Sequence, residues 1–168
     1  GSLLVAAGSG CRAPAQALLW LALVVPMLLR MALNAVDGML AREFGQQSRL
    51  GAYLNELCDV IADAALYLSL LSVPGVRAEA LWLLAWSAAL SEYAGVLGPM
   101  VGAGRRYDGP MGKSDRAFVI GVLGLLLAFA WVGGATVSAV AWGLSLLCAL
   151  TLVRRVRQGL KQAAATPS

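Results

Sequence analysis

Polar residues interrupt an otherwise apolar chain between Asn34 and Asp63, a stretch that reads NAVDGMLAREFGQQSRLGAYLNELCDVIAD. Ionisable groups are costly inside membrane-spanning sequence, so those found there usually have a function. The acidic and amide residues recur at intervals of three or four, first in residues 34–41 and again in residues 51–63. This spacing places the polar residues of each part on one face of a helix. The pattern predicts two neighbouring helices that direct oxygen ligands to a common point.

The composition of the chain is that of a membrane protein. Of its 168 residues, 60% are hydrophobic and 13% are charged, and the charged share is about half that of soluble domains. The net charge of +4 does not indicate a nucleic-acid partner, because the basic residues lie at the ends of apolar segments. Histidine is absent and the three cysteines are widely spaced, which excludes His-ligated zinc and argues against a disulfide framework.

Five apolar segments are long enough to cross a bilayer, which requires roughly 20 residues. The predicted helices are Ala15–Leu40, Leu50–Val73, Glu79–Val101, Arg116–Gly133 and Thr136–Val156. The short apolar run Leu3–Ala7 is expected to be part of a truncated first helix, and the tail Gln162–Ser168 is expected to be disordered. We therefore predict an all-α, polytopic membrane helix bundle that forms a single domain over residues 1–168.

Charge placement orients these helices. Ten basic residues fall on one side if the segments alternate: Arg42, Arg49, Arg105, Arg106, Lys113, Arg116, Arg154, Arg155, Arg157 and Lys161. Arg12 and Arg77 fall on the other side, so the positive-inside rule predicts that the 42–49 and 103–115 loops are cytoplasmic.

The five tryptophans fall toward the opposite half and form either an interfacial belt or part of the core. Gly98-x-x-x-Gly102 allows close helix approach and predicts a dimer face.

The polar stretch is predicted to form a metal site at the cytoplasmic ends of the first two segments. Carboxylate and amide oxygens suit Mg²⁺ or Mn²⁺, and Mg²⁺ usually binds together with substrate phosphates. Small residues at the same level leave room for a bulky group between the helices; they are Gly38, Ala41 and Gly51.

The spacing resembles the motif of the CDP-alcohol phosphotransferase family, also called the CDP-alcohol phosphatidyltransferase family: D-x-x-D-G-x-x-A-R-x8-G-x-x-x-D-x-x-x-D. Six of the eight specified residues are identical here: Asp37, Gly38, Ala41, Arg42, Gly51 and Asp59. The resemblance implies a six-helix fold and a divalent metal that bridges the pyrophosphate of a CDP-lipid. It also implies transfer of a phosphatidyl group from a donor such as CDP-diacylglycerol to an alcohol, with release of CMP.

The resemblance also implies roles for the matched residues. Asp59 matches the general base that takes the proton of the acceptor hydroxyl, and Asp37 matches a metal ligand. The matched positions around the nucleotide are Gly38, Ala41, Arg42 and Gly51. The arginine among them is expected to serve local structure or phosphate contact.

Asn34 and Asn55 stand where the family has aspartate. An amide oxygen can ligate Mg²⁺ but is neutral, and affinity for hard cations depends partly on the number of charged ligands. The site is therefore expected to hold one metal, to recruit a nearby acid such as Glu56 or Asp63, or to have lost catalysis. Asp63 is the preferred additional metal ligand; alternatively it pairs with another helix, for example through Arg30.

The loop 104–116 combines cations with glycines, a composition that suits phosphate binding. Its candidate contacts to the acceptor or the lipid pyrophosphate are Arg105, Arg106 and Lys113. The alternative is that these charges contact anionic headgroups as ordinary positive-inside residues. Glu92, within the third predicted segment, is expected to hydrogen bond between helices.

The predicted function is phospholipid synthesis by a transferase of the bacterial inner membrane, with its active site on the cytoplasmic side. A homodimer is expected by analogy with the family alone. Two alternatives differ in class: a relative that binds CDP-lipid without turnover, and a small ion or solute transporter lined by the same acids. Glycerol phosphate, inositol phosphate and serine all remain open as acceptors.

Overall fold

The computed structural model describes residues 49–165, and all regular secondary structure in this range is helical. The α-helices are α1 (Arg49–Ser69), α2 (Ala78–Val96), α3 (Lys113–Ala128) and α4 (Gly134–Ala165). Short 3₁₀ helices follow α1 and α2, at Leu70–Ser72 and Gly98–Val101. The predicted all-helical fold is confirmed for this part of the chain. The predicted segment Ala15–Leu40 and the run Leu3–Ala7 lie outside the described residues.

One helix within residues 49–165, α4, is long and apolar enough to cross a membrane. At 1.5 Å per residue its 32 residues extend about 48 Å, which exceeds the roughly 30 Å of a hydrocarbon core. The other three predicted segments of this region are also helical, but their crossing of the membrane stays a prediction.

The end of α4 differs from the sequence prediction. Disorder was expected from Gln162 onward, whereas the helix continues through Ala165. The side-chain oxygen of Gln162 accepts hydrogen bonds from the backbone N–H of Gly104 (3.3 Å) and from Arg106 Nη1 (2.6 Å). These contacts to the α2–α3 loop give the last turns of the helix tertiary partners.

The turns α1–α2 and α3–α4 lie together at one end of the bundle. The backbone N–H of Arg77, which precedes α2, donates to Ser138 Oγ on α4 at 2.9 Å. Gly134 begins α4 directly against the backbone of residues 74–76, where a Cβ atom would collide. This close approach brings the first turns of α2 and α4 side by side.

Helices α2 and α4 pack closely because their shared core is rich in small residues. Ala80, Ala88 and Ala141 are almost completely buried, as are Ser138 and Ser145. The two serine hydroxyls donate to the carbonyl oxygens of the residues four positions earlier, at 2.8 and 2.7 Å. Small residues at such an interface are typical of membrane helices, and the back-bonding satisfies both buried serine hydroxyls.

The tryptophans in the described region lie outside the core. Trp82, Trp86, Trp131 and Trp142 are all exposed, and they belong to the parts of the chain nearest the α1–α2 and α3–α4 turns. Exposure at that end favours the predicted interfacial belt over core packing for these four residues. Trp20 lies outside the described residues.

The glycine motif predicted as a dimer face has a different role. Gly98 begins a 3₁₀ helix, and Gly102 caps it with a left-handed backbone (φ +79°). The two glycines therefore do not share an α-helical face. Gly98 instead packs within the chain, where an added Cβ would collide with the Gly104 carbonyl. The α-helical arrangement assumed for this motif is therefore wrong, and the dimer face and the homodimer stay predictions.

Candidate functional site

A polar cavity of about 270 Å³ lies at the end of the bundle where α1 begins and α2 ends. Its lining residues are Asn55, Glu56, Asp59, Val60, Asp63, Glu92, Arg105, Tyr107 and Lys113. Asn55, Asp59 and Asp63 are successive members of the four-residue repeat, so one face of α1 forms a wall of the cavity. The predicted common face of these side chains is present, and it faces the α2–α3 loop.

Two ion pairs connect α1 to residues that follow α2; we call them the cavity pairs. Arg105 makes a bidentate contact with Glu56, with Nη1–Oε1 and Nη2–Oε2 distances of 2.5 and 2.8 Å. Lys113 Nζ donates to Asp59 Oδ2. The hydrogen bonds that Arg105 donates to Glu56 raise the pKa of Arg105, and the guanidinium also lies 5.1 Å from the centre of the Tyr107 ring.

A second set of charges lies deeper, which we call the buried ionic group: Asp63, Glu92, Arg116 and Arg155. Arg116 Nη2 lies 2.9 Å from Glu92 Oε1 and 3.5 Å from Asp63 Oδ2. Arg155 Nη1 lies 3.2 Å from Glu92 Oε2. One carboxylate on α2 therefore pairs with arginines from both α3 and α4.

Neutral groups complete the hydrogen bonding of these buried arginines. Arg116 Nε donates to the Tyr67 hydroxyl at 3.2 Å, and Tyr67 is itself buried. Arg155 Nη1 donates to the carbonyl of Ser91 at 2.5 Å, and its Nε donates to the carbonyl of Asp108 at 3.3 Å. Burying a charge is tolerable only when it is paired and hydrogen bonded, and both conditions are met here.

The α2–α3 loop is held in place by its contacts with α4. The backbone N–H of Met111, a buried residue, donates to Thr151 Oγ1 at 3.1 Å. Gly109 has φ +130°, and a Cβ there would lie 2.8 Å from Thr151 Cβ. Both the left-handed backbone and the close approach require glycine at this position. The loop thereby holds its cations over α1.

Helix α3 begins at Lys113, three residues earlier than the predicted Arg116. The backbone N–H of Gly112 donates to Asp115 Oδ2 at 2.8 Å, a local contact that favours a helix start at this point. Because Lys113 is helical, it shares a face with Arg116 one turn later. These two cations meet Asp59 and Asp63, which are one turn apart on α1.

The structure separates the predicted phosphate-binding residues. Arg105 and Lys113 line the cavity, whereas Arg106 does not. Arg106 instead pairs with Asp108, with Nε–Oδ2 and Nη2–Oδ1 distances of 2.7 and 2.9 Å, and these hydrogen bonds lower the pKa of Asp108. Gly51, predicted to contact the nucleotide, lies in the first turn of α1 and is not among the lining residues.

The other predicted site residues lie outside the described residues: Asn34, Asp37, Gly38, Ala41 and Arg42. Arg30, one predicted partner of Asp63, lies outside them too. Asp63 does pair with another helix, through Arg116 on α3.

The side-chain oxygens on the cavity face of α1 are of the type that binds a hard divalent cation. Asn55 and Asp59 offer oxygen ligands on one helix face, which suits Mg²⁺ or Mn²⁺. Within residues 49–165, no three acidic or cysteine side chains are grouped so that they could hold a metal.

Two arginines that the positive-inside rule counts as cytoplasmic surface charges are in fact buried. Arg116 and Arg155 were counted among the ten basic residues of the cytoplasmic side, yet they are 1% and 3% exposed. A signal existed for Arg116, because Glu92 is an opposite charge within apolar sequence and such charges usually pair. No comparable signal distinguishes Arg155 from its neighbours Arg154 and Arg157.

The family model for CDP-alcohol phosphatidyltransferases matches residues 3–153, and this range includes the whole polar stretch and the cavity. The chain belongs to the CDP-alcohol phosphatidyltransferase family. The resemblance inferred from the motif is thereby confirmed. This is a family of transferases, and its reaction moves a phosphatidyl group.

A curated relative is the "Inner membrane protein YnbA" of Escherichia coli (strain K12), which is 50% identical over 114 residues. The alignment covers 68% of this chain and 57% of YnbA, so the chain spans little more than half of that relative's length. No solved structure matches the chain. The CDP-alcohol phosphatidyltransferase assignment therefore rests on sequence, and the cavity geometry is described from this chain itself.

Proposed function

We propose that this protein transfers a phosphatidyl or related phospho-alcohol group from a CDP-alcohol, such as CDP-diacylglycerol, to an alcohol acceptor, with release of CMP. The observation that carries the proposal is the position of Asp59: within a family-matched motif, 7% exposed, and on the wall of a polar cavity. The reaction requires a proton acceptor beside the acceptor hydroxyl, and a carboxylate in such a cavity is suited to that role.

Each side of the cavity would bind a different part of the reactants. A divalent cation held by Asn34, Asp37, Asn55 and Asp59, with Asp63 as a further candidate ligand, would neutralise the pyrophosphate and stabilise the departing CMP. Gly38, Ala41, Arg42 and Gly51 are proposed to contact the nucleotide. Arg105 and Lys113 are proposed to bind phosphate oxygens from the opposite wall. Arg106, whose charge pairs with Asp108, would act mainly by holding the loop.

The acceptor hydroxyl would attack the phosphorus on the lipid side of the pyrophosphate. Asp59 would take the hydroxyl proton as the new phosphorus–oxygen bond forms and the bond to CMP breaks. The location proposed for this chemistry is the cytoplasmic side of the inner membrane. Its support is the positive-inside bias of the basic residues and the inner-membrane title of YnbA.

Release of CMP from CDP-diacylglycerol tests the proposal. The purified protein would be assayed with Mg²⁺ or Mn²⁺ and an acceptor panel of glycerol phosphate, inositol phosphate and serine. Asp59→Asn should reduce turnover by at least about a hundredfold, the lower range for loss of a general base. Asp108→Asn is the matched control, because it makes the same chemical change outside the cavity and should retain turnover. Full activity of Asp59→Asn would reject the assignment of the base.

A second candidate function is favoured by Asn34 and Asn55: binding of a CDP-lipid without turnover. The same assay separates the two functions. Activity that appears only after Asn34→Asp and Asn55→Asp are introduced together would identify a non-catalytic binder. Metal flux in liposomes without CMP release would instead favour the transporter alternative.

A further inference from the structure

The last turns of α4 extend beyond the length that a bilayer core requires. Residues 134–153 contain no charged side chain, and about 20 apolar residues are enough to cross the hydrocarbon core. Trp131, shortly before α4, is exposed and suits an interfacial position. With the start of α4 at one interface, residues 154–165 lie at and beyond the other, at the level of the lipid headgroups.

Three basic residues of this extension form one exposed face, which we call the α4 basic face: Arg154, Arg157 and Lys161. Their spacing of three and four residues places them on the same side of the helix, and all three are exposed. None of them forms an ion pair with an acid of residues 49–165, whereas the neighbouring Arg155 is buried and ion paired. Within that range, the positive charges of this face have no ion-pair partner in the protein.

An apolar stripe runs beside the α4 basic face. Val153, Val156 and Leu160 precede the three basic residues by one position each, so they repeat the same helical spacing, and all are exposed. The stripe continues toward the middle of the helix in Leu146 and Leu150, which are also exposed. A surface that is apolar along the membrane-spanning part and basic beside its end matches the acyl chains and the anionic headgroup of one phospholipid.

The opposite side of the same turns is already occupied by the protein. Arg155 Nε donates to the carbonyl of Asp108 at 3.3 Å, and the Gln162 side chain accepts from the backbone N–H of Gly104 at 3.3 Å. These contacts attach that side of α4 to the α2–α3 loop. The α4 basic face therefore points away from the loop and toward the surrounding membrane surface.

We propose that the α4 basic face binds the headgroup of an anionic phospholipid, such as phosphatidylglycerol, whose acyl chains lie along the apolar stripe. Arginine contacts phosphate oxygens in a bidentate manner, and lysine supplies a further positive charge. The adjoining apolar stripe favours a lipid over an acidic protein or a nucleic acid, because Lys and Arg at a membrane interface bury their stems along apolar surface while their charges reach the headgroups. The inference does not depend on the proposed function, since lipid binding requires no turnover.

Lipid affinity tests the inference. Native mass spectrometry would follow titration of the detergent-solubilised protein with phosphatidylglycerol or, separately, with phosphatidylcholine. We expect the first phosphatidylglycerol to bind at least about fivefold more tightly than the first phosphatidylcholine, the equivalent of one basic residue at an anionic surface. Arg154→Gln, Arg157→Gln and Lys161→Gln, introduced together, should remove most of this preference.

Hydrogen exchange in nanodiscs would locate the bound lipid. The backbone amides of residues 154–165 should exchange more slowly when the phosphatidylcholine of the disc is partly replaced by phosphatidylglycerol, and the triple variant should lose this difference. Slower exchange with added polyglutamate but not with phosphatidylglycerol would assign the α4 basic face to an acidic protein and overturn the inference.

Single variants act as controls. Arg77→Gln also removes one exposed positive charge, but that arginine pairs with Glu79, so it should lower the lipid preference less than Arg157→Gln does. Arg157→Gln alone should weaken phosphatidylglycerol binding, which tests the inference even if the triple variant fails to fold. Equal affinity of the wild type for the two lipids, or an unchanged preference in the Arg157→Gln and triple variants, would overturn it.

Discussion

The cavity pairs and the buried ionic group are built from the same residue types but differ in exposure. The cations of the cavity pairs, Arg105 and Lys113, have side chains that are 37% and 36% exposed. Those of the buried group, Arg116 and Arg155, are 1% and 3% exposed. Solvated charges can exchange partners at little cost, whereas a buried charge that loses its partner is strongly destabilising.

This difference separates two tasks in one small bundle. The cavity pairs face the space where a ligand would bind, and they can release their carboxylates to contact it. The buried group joins α1, α2, α3 and α4 beneath that space. Under the proposed function, the same ionic chemistry would serve recognition in the cavity pairs, whereas in the buried group it holds the helices together.

The largest expected effect comes from Glu92→Gln. This change leaves two buried arginines without their shared carboxylate, so the free energy of unfolding should fall by about 3–5 kcal/mol. The unfolding equilibrium in mixed detergent micelles would measure it. Arg155→Met in the Glu92→Gln background should recover part of the loss, because Arg155 pairs with Glu92 whereas Arg116 also pairs with Asp63. A loss below about 1 kcal/mol for Glu92→Gln would show that the two sets do not differ as described.

Gly109→Ala tests the α2–α3 loop, which connects the cavity pairs with the buried ionic group. The backbone φ of +130° at this position is unfavourable for a residue with a Cβ atom, and the added Cβ would also collide with Thr151. We therefore expect a loss of about 1–3 kcal/mol in unfolding free energy. Gly104→Ala is the matched control in the same loop, since its nearest atom to a new Cβ, Gln162 Nε2, is 3.9 Å away. Equal effects of the two substitutions would contradict this account of the loop.

Glu56→Gln is the counterpart of Glu92→Gln in the cavity pairs. It should cost no more than about 1 kcal/mol in unfolding free energy, because the pair is solvated. Freeing Arg105 from its carboxylate should also tighten binding of CDP by up to about fivefold, the equivalent of that energy. Calorimetric titration with CDP would measure this change. Weaker CDP binding would show that the pair positions Arg105 for its ligand.

The smallest expected effect concerns pH and the Arg106–Asp108 pair. Arg106 lowers the pKa of Asp108 in the folded protein. The pair therefore stabilises the fold at pH values above the unfolded-state pKa of about 3.9. This contribution is lost as the pH falls through the lower folded-state pKa. Asp108→Asn should reduce unfolding free energy by less than about 1 kcal/mol at pH 7 and should converge with the wild type below about pH 4. A difference that grows on acidification would contradict the sign.

Much of this architecture could be predicted from apolar length and motif spacing. The four predicted segments that fall within residues 49–165 correspond to α1–α4 because each apolar run has clear polar or Pro/Gly boundaries, such as Pro74-Gly75 after α1. The far end of α4 could not be predicted, since its last turns are polar and depend on the tertiary contacts of Gln162.

The site was predicted where it depends on helix periodicity and missed where it depends on tertiary pairing. The four-residue repeat places Asn55, Asp59 and Asp63 on one face regardless of neighbours. Arg105 and Arg106 are adjacent in sequence, and only the fold directs one to the cavity and the other to Asp108. Similarly, nothing local in the sequence identifies which arginine of α4 reaches Glu92.

The single carboxylate of Glu92 has a consequence for how a substrate enters. Because it bonds arginines from two helices at once, separating α2 from α3 or α4 would expose unbalanced charge in a medium of low dielectric constant. The floor of the cavity is thus preorganised, and little conformational entropy is left to lose there when a ligand arrives. Under the proposed function, adjustment to headgroups of different size would, within residues 49–165, fall to the side chains of Arg105 and Lys113.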